Sequence, residues 1–326
     1  MLGRIFGNHS EVNTFGELHF FENLLDTSTI DKNNVWPKEK LITLLERLLT
    51  SAHDGLFSHV THDKFKAKAE QIILENNITN PIHAYRGFLE VETNGRGKSI
   101  SCEQTPRYLF AANEILELFP DCYIINMIRD PRDVMLSQKN KWRRRFLGGK
   151  NIPLFEAIRS WVNYHPYTIS RLWVSAVTTA NKLERNCRFK TIYFEELLEK
   201  PEHIIRELCE FTNIEFEENM LSVPQVGSSA GKDLSDKIGV DKSKAGGWRK
   251  GGLSKVELAV CQQVAQQEMK RLGYDVEQVT ISFFSKTISM LVFTIKISMA
   301  LILNIRRNKN IVQTIKRRLN FPAKGK

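Results

Sequence analysis

The chain has little of what would staple or span it. Five cysteines occur in 326 residues, none in a Cys-x-x-Cys pair and none beside a histidine cluster, which excludes a disulfide scaffold and a zinc-finger framework. Cys102, Cys122, Cys187, Cys209 and Cys261 are an odd set and read as buried free thiols in a reducing compartment. No metal site is expected. Ten prolines and 18 glycines are too few for a low-complexity or collagenous chain. The opening residues 1–12 lack the apolar run of a signal peptide, and nothing else in 1–277 approaches membrane-spanning length. Acidic residues are missing altogether from 278–326, where ten Lys or Arg stand without one Asp or Glu.

That last absence locates the charge. The chain carries 47 bases and 37 acids, so removing those ten bases leaves 37 against 37. The body, 1–277, is formally neutral, and the isoelectric point near 9.3 belongs to the tail. A nucleic-acid-binding body is therefore not expected; a neutral, enzyme-like domain with a basic appendage is.

Residues 1–7 read as helix, with Leu2, Ile5 and Phe6 at helical spacing and no capping residue before them. Amphipathic helices are predicted over 37–53 and 63–76. A short strand is predicted over 98–103, then a Thr-Pro break and a helix through Phe119. Residues 122–128, CYIINMI, are almost continuously apolar, as in a parallel strand covered on both faces. The run continues into Arg129-Asp130-Pro131-Arg132-Asp133 and a helix from about Val134. A second strand over 188–194 precedes a helix over 202–212. A loop rich in Gly, Ser, Asp and Lys covers 225–252, and a helix covers 254–272. Strands alternating with helices predict an α/β fold, with a parallel sheet between helices on both faces. No internal repeat or linker divides the body, so 1–277 reads as one domain and 278–326 as a tail.

Ligands of parallel sheets sit at the carboxyl ends of strands, near helix N-termini. Arg129 closes the strand 122–128 at that edge, and Ser137 lies on the next helix. A guanidinium and a hydroxyl there would hold a phosphate, whereas a local ion pair and a solvated serine is the alternative. GRGKS (95–99) ends like a phosphate-binding loop, but its first glycine would have to be Glu92 and no helix follows, so nucleotide hydrolysis is not expected.

Four stretches, in order, carry a resemblance. PDCYIINMIRDPRDVMLSQ resembles the 3′-phosphate-binding segment of sulfotransferases that use 3′-phosphoadenosine-5′-phosphosulfate, PAPS. CEQTPRYL is similar to that family's Glu-Lys-Thr-Pro stretch, and IYFEELLEKPEHIIRELCEF to its aromatic-Glu-x-Leu strand with Pro and helix. KAGGWRKGGLS resembles its C-terminal Lys/Arg-Gly-Trp loop. The tyrosylprotein-sulfotransferase-like branch looks closer than the cytosolic phenol branch. The resemblance implies a P-loop-NTPase-like three-layer sandwich, with Arg129 and Ser137 on the 3′-phosphate and Lys244, Trp248 and Arg249 reaching the nucleotide.

NHSEVNTFGELHFFE (8–22) resembles the turn and Gly-Glu stretch that follow the family's 5′-phosphosulfate loop. On that alignment the first strand and the loop would fall before Met1 and be missing. Glu17 is then the candidate base and His19 its runner-up, since the cytosolic branch uses a histidine. A surface carboxylate is the bland alternative for Glu17. Gln104 stands where the family often has a lysine, so the leaving phosphate would meet a donor without charge. The resemblance implies sulfuryl transfer from PAPS to a hydroxyl of carbohydrate, protein tyrosine or lipid. The alternative is a truncated or non-catalytic chain that binds nucleotide without turnover.

Residues 281–304 are apolar but interrupted by Lys286 and Lys296. Ser282, Ser285, Lys286, Ser289, Lys296 and Asn304 fall near one stripe; Phe284, Ile288, Leu291, Ile295, Met299 and Ile302 form the opposite face. Arg306-Arg307 and Lys316-Arg317-Arg318 follow. This is the pattern of an in-plane helix on an anionic membrane surface, which predicts a cytoplasmic protein peripheral to the inner membrane face. The alternative is a helix packed on the body or a partner.

Overall fold

The computed structural model describes residues 1–25, 34–58, 64–147, 152–225 and 234–304. The clusters Arg306-Arg307 and Lys316-Arg317-Arg318 and the loop segment 226–233 lie outside the described residues, as do the side chains of Lys286 and Asn304. In chain order the elements are α1 (Leu2–Gly7), β1 (Val12–Phe15), α2 (Lys38–His53), α3 (Lys66–Glu75), α4 (Pro81–Asn94), β2 (Ile100–Glu103), α5 (Ala112–Leu118), β3 (Ile124–Ile128), α6 (Pro131–Asn140), α7 (Leu154–Asn163), α8 (Pro166–Leu183), β4 (Phe189–Tyr193), α9 (Phe194–Glu199), α10 (Pro201–Thr212), β5 (Pro224–Gln225), β6 (Leu234–Ile238), α11 (Lys255–Arg271) and α12 (Phe283–Asn304). They form two compact units. One comprises Met1–Ile124 with Ile205–Val223; the other comprises Ile125–Ile204 with Pro224–Lys326.

In the first unit β1 and β2 pair in parallel, Val12 opposite Ile100 and Phe15 opposite Glu103. The connection between them carries α2, α3 and α4, as a parallel pair requires. Leu41, Leu45, Leu48 and Leu49 recur at helical spacing on α2 and are buried with Phe15, Phe20, Tyr85 and Phe88. The rings of Phe20 and Tyr85 stack with centroids 4.2 Å apart. Asn80 caps α4, accepting from His83 N at 2.8 Å, with Pro81 in the first helical position.

β1 escapes the sequence pattern because Asn13 and Thr14 interrupt its apolar residues. Asn13 is nevertheless buried: it donates to Thr93 Oγ1 at 3.2 Å and accepts from Arg96 Nη1 at 3.1 Å, so its amide stays satisfied without water. Lys98, the lysine of the GRGKS decoy, is occupied structurally. Its ammonium donates to the carbonyls of Gly7, His9 and Val12 at 3.1, 2.8 and 2.7 Å, clasping the α1–β1 connection.

In the second unit β3 pairs with β4. Ile128 is buried with Trp173 and Val177 of α8 and with Ala265 and Met269 of α11. The other residues of β3 are half-buried, less covered than their apolar run predicts. α6 starts three residues before the predicted Val134, because Asp130 caps it and Pro131 supplies the fixed first φ. α11 starts on a capping box: Ser254 accepts from Glu257 N at 3.2 Å and the Glu257 carboxylate from Ser254 N at 2.7 Å. β5 and β6 form a short antiparallel pair with a register shift. All five cysteines are free thiols; Cys209 and Cys261 are buried, while Cys187 is exposed, contrary to the expectation of five buried thiols. No cluster of metal ligands occurs among the described residues.

Candidate active site

The candidate base stands at the end of β1, in a network of charges within the first unit. The backbone turns at His19, whose φ is +53°, and puts its ring between two carboxylates. Nε2 lies 3.1 Å from Glu17 Oε2 and Nδ1 lies 2.6 Å from Glu22 Oε2. Arg107 binds the other oxygen of Glu22. Burial works against a charge on His19, but the hydrogen bonds it donates to Glu17 and Glu22 outweigh it and raise the imidazole to about 9. For Glu22, burial opposes the anion, but His19 and Arg107 prevail and lower it below its ordinary value. At neutral pH His19 is therefore an imidazolium donating to both carboxylates, and in that form it has no lone pair to take a proton. Glu17 keeps the more open carboxylate of the two, 48% exposed against 16% for Glu22.

Glu103, at the end of β2, holds this turn from beneath. Its carboxylate accepts from Leu18 N at 2.9 Å, from Thr105 N at 3.1 Å and from the Thr105 hydroxyl at 2.5 Å. Thr105 Oγ1 also receives His19 N at 3.3 Å, and Tyr108 OH receives Phe20 N at 2.7 Å. Burial raises the Glu103 carboxyl to about 7 against the pull of these hydrogen bonds. The parallel register, which sets Phe15 opposite Glu103, brings the two strand ends together. Gln104 is exposed, and its amide oxygen lies against α1: a Cβ on Gly3 would fall 2.3 Å from Gln104 Oε1.

The predicted nucleotide residues belong to the second unit. Arg129 Nη2 donates to the carbonyl of Lys244 at 2.7 Å and lies 3.5 Å from Asp133 Oδ2. Its guanidinium covers the Phe194 ring at 4.2 Å, and its buried Nε has no partner. Trp173 Nε1 fixes the backbone by donating to Arg129 O at 2.9 Å. Ser137 is half-buried on α6.

The second half of the Arg-Asp-Pro-Arg-Asp run seats the glycine-rich loop. Asp133 is buried and accepts from Gly246 N at 2.9 Å and Trp248 N at 2.8 Å. Arg132 is buried on Asp130, with Nη2 2.7 Å from Oδ2, and covers the Trp248 ring at 3.9 Å. Arg249 covers the same indole at 4.5 Å and lies 3.8 Å from Asp275. Trp248 is thus a buried ring beside two guanidinium groups. Lys244 lies 3.7 Å from Asp241, with its amine partly exposed. Gly246 has φ +64°, a conformation that suits glycine.

The structure thus gathers Glu17 with His19, and Arg129 with Lys244; Trp248 joins the latter pair through Asp133. Glu22, Glu103, Thr105 and Arg107 are members of the first network that sequence reasoning did not single out. The signal for Glu103 is its place in the CEQTPRYL stretch beside Gln104, and that for Asp133 its place in the Arg-Asp-Pro-Arg-Asp run.

Arg129 at the carboxyl end of β3, before the capped helix α6, occupies the edge where α/β folds commonly place anionic ligands. A profile described as "Sulfotransferase family" matches residues 1–218, and the chain belongs to that family. Its fold is of the α/β class that the resemblance implied, with the parallel pair β1–β2 and the pair β3–β4 set among helices. No curated protein matches the sequence. Among solved structures, the chain is similar to the sulfotransferase domain from the curacin biosynthetic pathway, at 19% identity over 85% of this chain and 93% of that one, with a TM-score of 0.48. It is similar to the sulfotransferase domain from the Synechococcus PCC 7002 olefin synthase at 19% identity, covering 85% and 90%, with a TM-score of 0.46. A sulfotransferase from Alicyclobacillus acidocaldarius shares 18% identity over 84% and 90%, with a TM-score of 0.41.

Proposed function

We propose that the chain transfers a sulfuryl group from PAPS to a hydroxyl acceptor. The acceptor oxygen attacks sulfur as the bond to the 5′-phosphate oxygen breaks, leaving adenosine 3′,5′-bisphosphate. The acceptor proton passes to a carboxylate, which this reading assigns to Glu17. His19 then acts on Glu17 rather than on substrate, donating to its carboxylate and orienting it. Gln104 offers the leaving oxygen a neutral amide donor.

One observation carries the reading. Arg129 follows the end of β3 with Nη2 committed to the Lys244 carbonyl while its side chain stays 27% exposed. Such a guanidinium is positioned yet open to an anion, and the family supplies one in the 3′-phosphate. Ser137 on α6 would share that phosphate, with Lys244 and Arg249 adding charge and Trp248 holding the loop in place. The acceptor class stays among carbohydrate, protein tyrosine and lipid hydroxyls.

Calorimetry with adenosine 3′,5′-bisphosphate, paired with acceptor-dependent release of that nucleotide from PAPS, tests both halves. Binding with turnover that Glu17→Gln abolishes supports the enzyme. Binding without turnover across all three acceptor classes supports the non-catalytic alternative, and absence of binding sinks both.

A further inference from the structure

α12 presents its apolar stripe to solvent. Ser289, Phe293, Lys296 and Ala300, spaced four, three and four residues apart, make the stripe that meets the second unit. His165 Nε2 lies 3.2 Å from the Ser289 carbonyl, and the Phe293 ring packs on His165 and Tyr167 with centroids 4.8 and 5.4 Å away. Lys296 Nζ donates to the Tyr164 carbonyl at 3.1 Å and the Trp161 carbonyl at 3.4 Å, capping the end of α7. Ala300 is buried. The opposite stripe is exposed, with Phe284 at 73%, Leu291 at 61%, Ile295 at 62% and Ile302 at 70%. A surface helix of a soluble protein does the reverse and buries its apolar stripe.

α7 continues the exposed surface. Leu154, Ile158 and Trp161 share one stripe and are all exposed, and the Trp161 ring lies 4.5 Å from the Lys296 ammonium. The turn Lys141–Phe146 packs on α7 and exposes Phe146 beside Lys141, Arg143 and Arg144. Large apolar side chains in continuous stripes, next to cations, mark a binding surface. The sequence beyond α12 adds Arg306, Arg307, Lys309, Lys316, Arg317, Arg318, Lys324 and Lys326, and no acid.

We propose that the outward stripe of α12 and the exposed stripe of α7 form a docking surface for an anionic lipid bilayer, with α12 lying in the membrane plane. The charge selects the occupant: apolar side chains enter the acyl boundary while arginines and lysines meet anionic headgroups. The placement of Lys296 selects the orientation. With 22 residues α12 is about 33 Å long, enough to cross a bilayer. Crossing would strip Lys296 from the carbonyls of Trp161 and Tyr164 and Ser289 from His165. Lying in plane keeps these contacts and turns only the apolar stripe to lipid. The inference is independent of the sulfotransfer reading.

The test uses the full chain with vesicles of phosphatidylcholine alone or with about 30 mol% phosphatidylglycerol. Expected are co-sedimentation with the anionic vesicles and its loss on raising salt from about 0.1 to about 1 M. Leu291→Glu with Ile295→Glu should lower partitioning at least ~10-fold. Both sites are exposed, so the variant should elute and melt like the parent. Brominated lipid should quench tryptophan fluorescence, and Trp161→Phe should remove part of that quenching. The proposal is overturned if the folded double variant binds vesicles as well as the parent does. Residence that resists both high salt and alkaline carbonate also overturns it, because α12 then spans. So does a lipid-free dimer that the double variant dissociates, because a second copy then covers the face. Should the double variant not fold, an unquenched parent decides against the proposal.

Discussion

Arg129 and Asp133 divide the work at the end of β3. Arg129 faces Phe194 and Lys244 and stays partly exposed, while Asp133 spends both oxygens on the backbone of Gly246 and Trp248. Arg129→Ala is expected to weaken adenosine 3′,5′-bisphosphate by roughly 1.5–3 kcal/mol, the range for a hydrogen bond to a charged group. The 3′-dephosphorylated analogue should be much less affected, and equal losses in calorimetry would remove Arg129 from the phosphate. Asp133→Ala strands two N–H groups at about 1–3 kcal/mol each. It should lower both urea stability and nucleotide affinity, since the loop loses its seat.

His19 and Glu103 make stability fall as pH rises. His19 goes from an ordinary 6.5 to about 9 in the folded chain, so its contribution is complete below 6.5 and is lost through about 9. Glu103 goes from 4.5 to about 7, so the native state also binds its proton more tightly, and that contribution is lost between those values. Glu22 is lowered and acts oppositely, its contribution disappearing only at acid pH. Urea midpoints should therefore decline from about pH 5 to about pH 9. His19→Gln should flatten the upper half of that decline and Glu103→Gln the lower half; an unchanged profile in both variants would disprove the account.

At the scale of elements, β1 and α6 show two ways a boundary is set. The Asp130-Pro131 cap is local chemistry, legible in the sequence and wrong only by three residues. β1 is defined by its partner: four residues with two polar ones gain strand geometry from pairing with β2 and from Thr93 and Arg96, far along the chain. No window of sequence shows those partners. α11 combines both kinds of support. Ser254→Ala should cost about 1 kcal/mol, the usual value of an N-cap. Glu257→Ala should cost more, because Glu257 also holds Lys139 at 2.8 Å and Tyr164 OH at 2.6 Å. Chemical denaturation of the two variants gives the comparison, and equal losses would mean the cap alone matters.

Across the whole molecule, charge and chemistry are carried by different stretches of the sequence. The eight cations of 306–326 account for most of the formal charge of +10. Replacing them with glutamine leaves 10 − 8 = +2. Cation-exchange retention should then collapse, while affinity for adenosine 3′,5′-bisphosphate changes within about twofold, because none of the eight is among the residues assigned to the nucleotide and salt screens their long-range field. A large loss of nucleotide affinity would show that the tail reaches the site.

The α/β alternation, most helix positions, the Arg129 edge and the location of the charge are legible in the sequence alone. These follow from periodicity, capping and composition, which are properties of neighbouring residues. The clamping of His19 as an imidazolium between Glu17 and Glu22, and the hold of Glu103 on the backbone of Leu18 and Thr105, come from the folded chain. So do the seat that Asp133 gives a loop 113 residues away and the meeting of α12 with the body through Lys296, its apolar stripe outward. Ionisation and exposure depend on which distant groups share a volume, and side-chain periodicity carries no record of that.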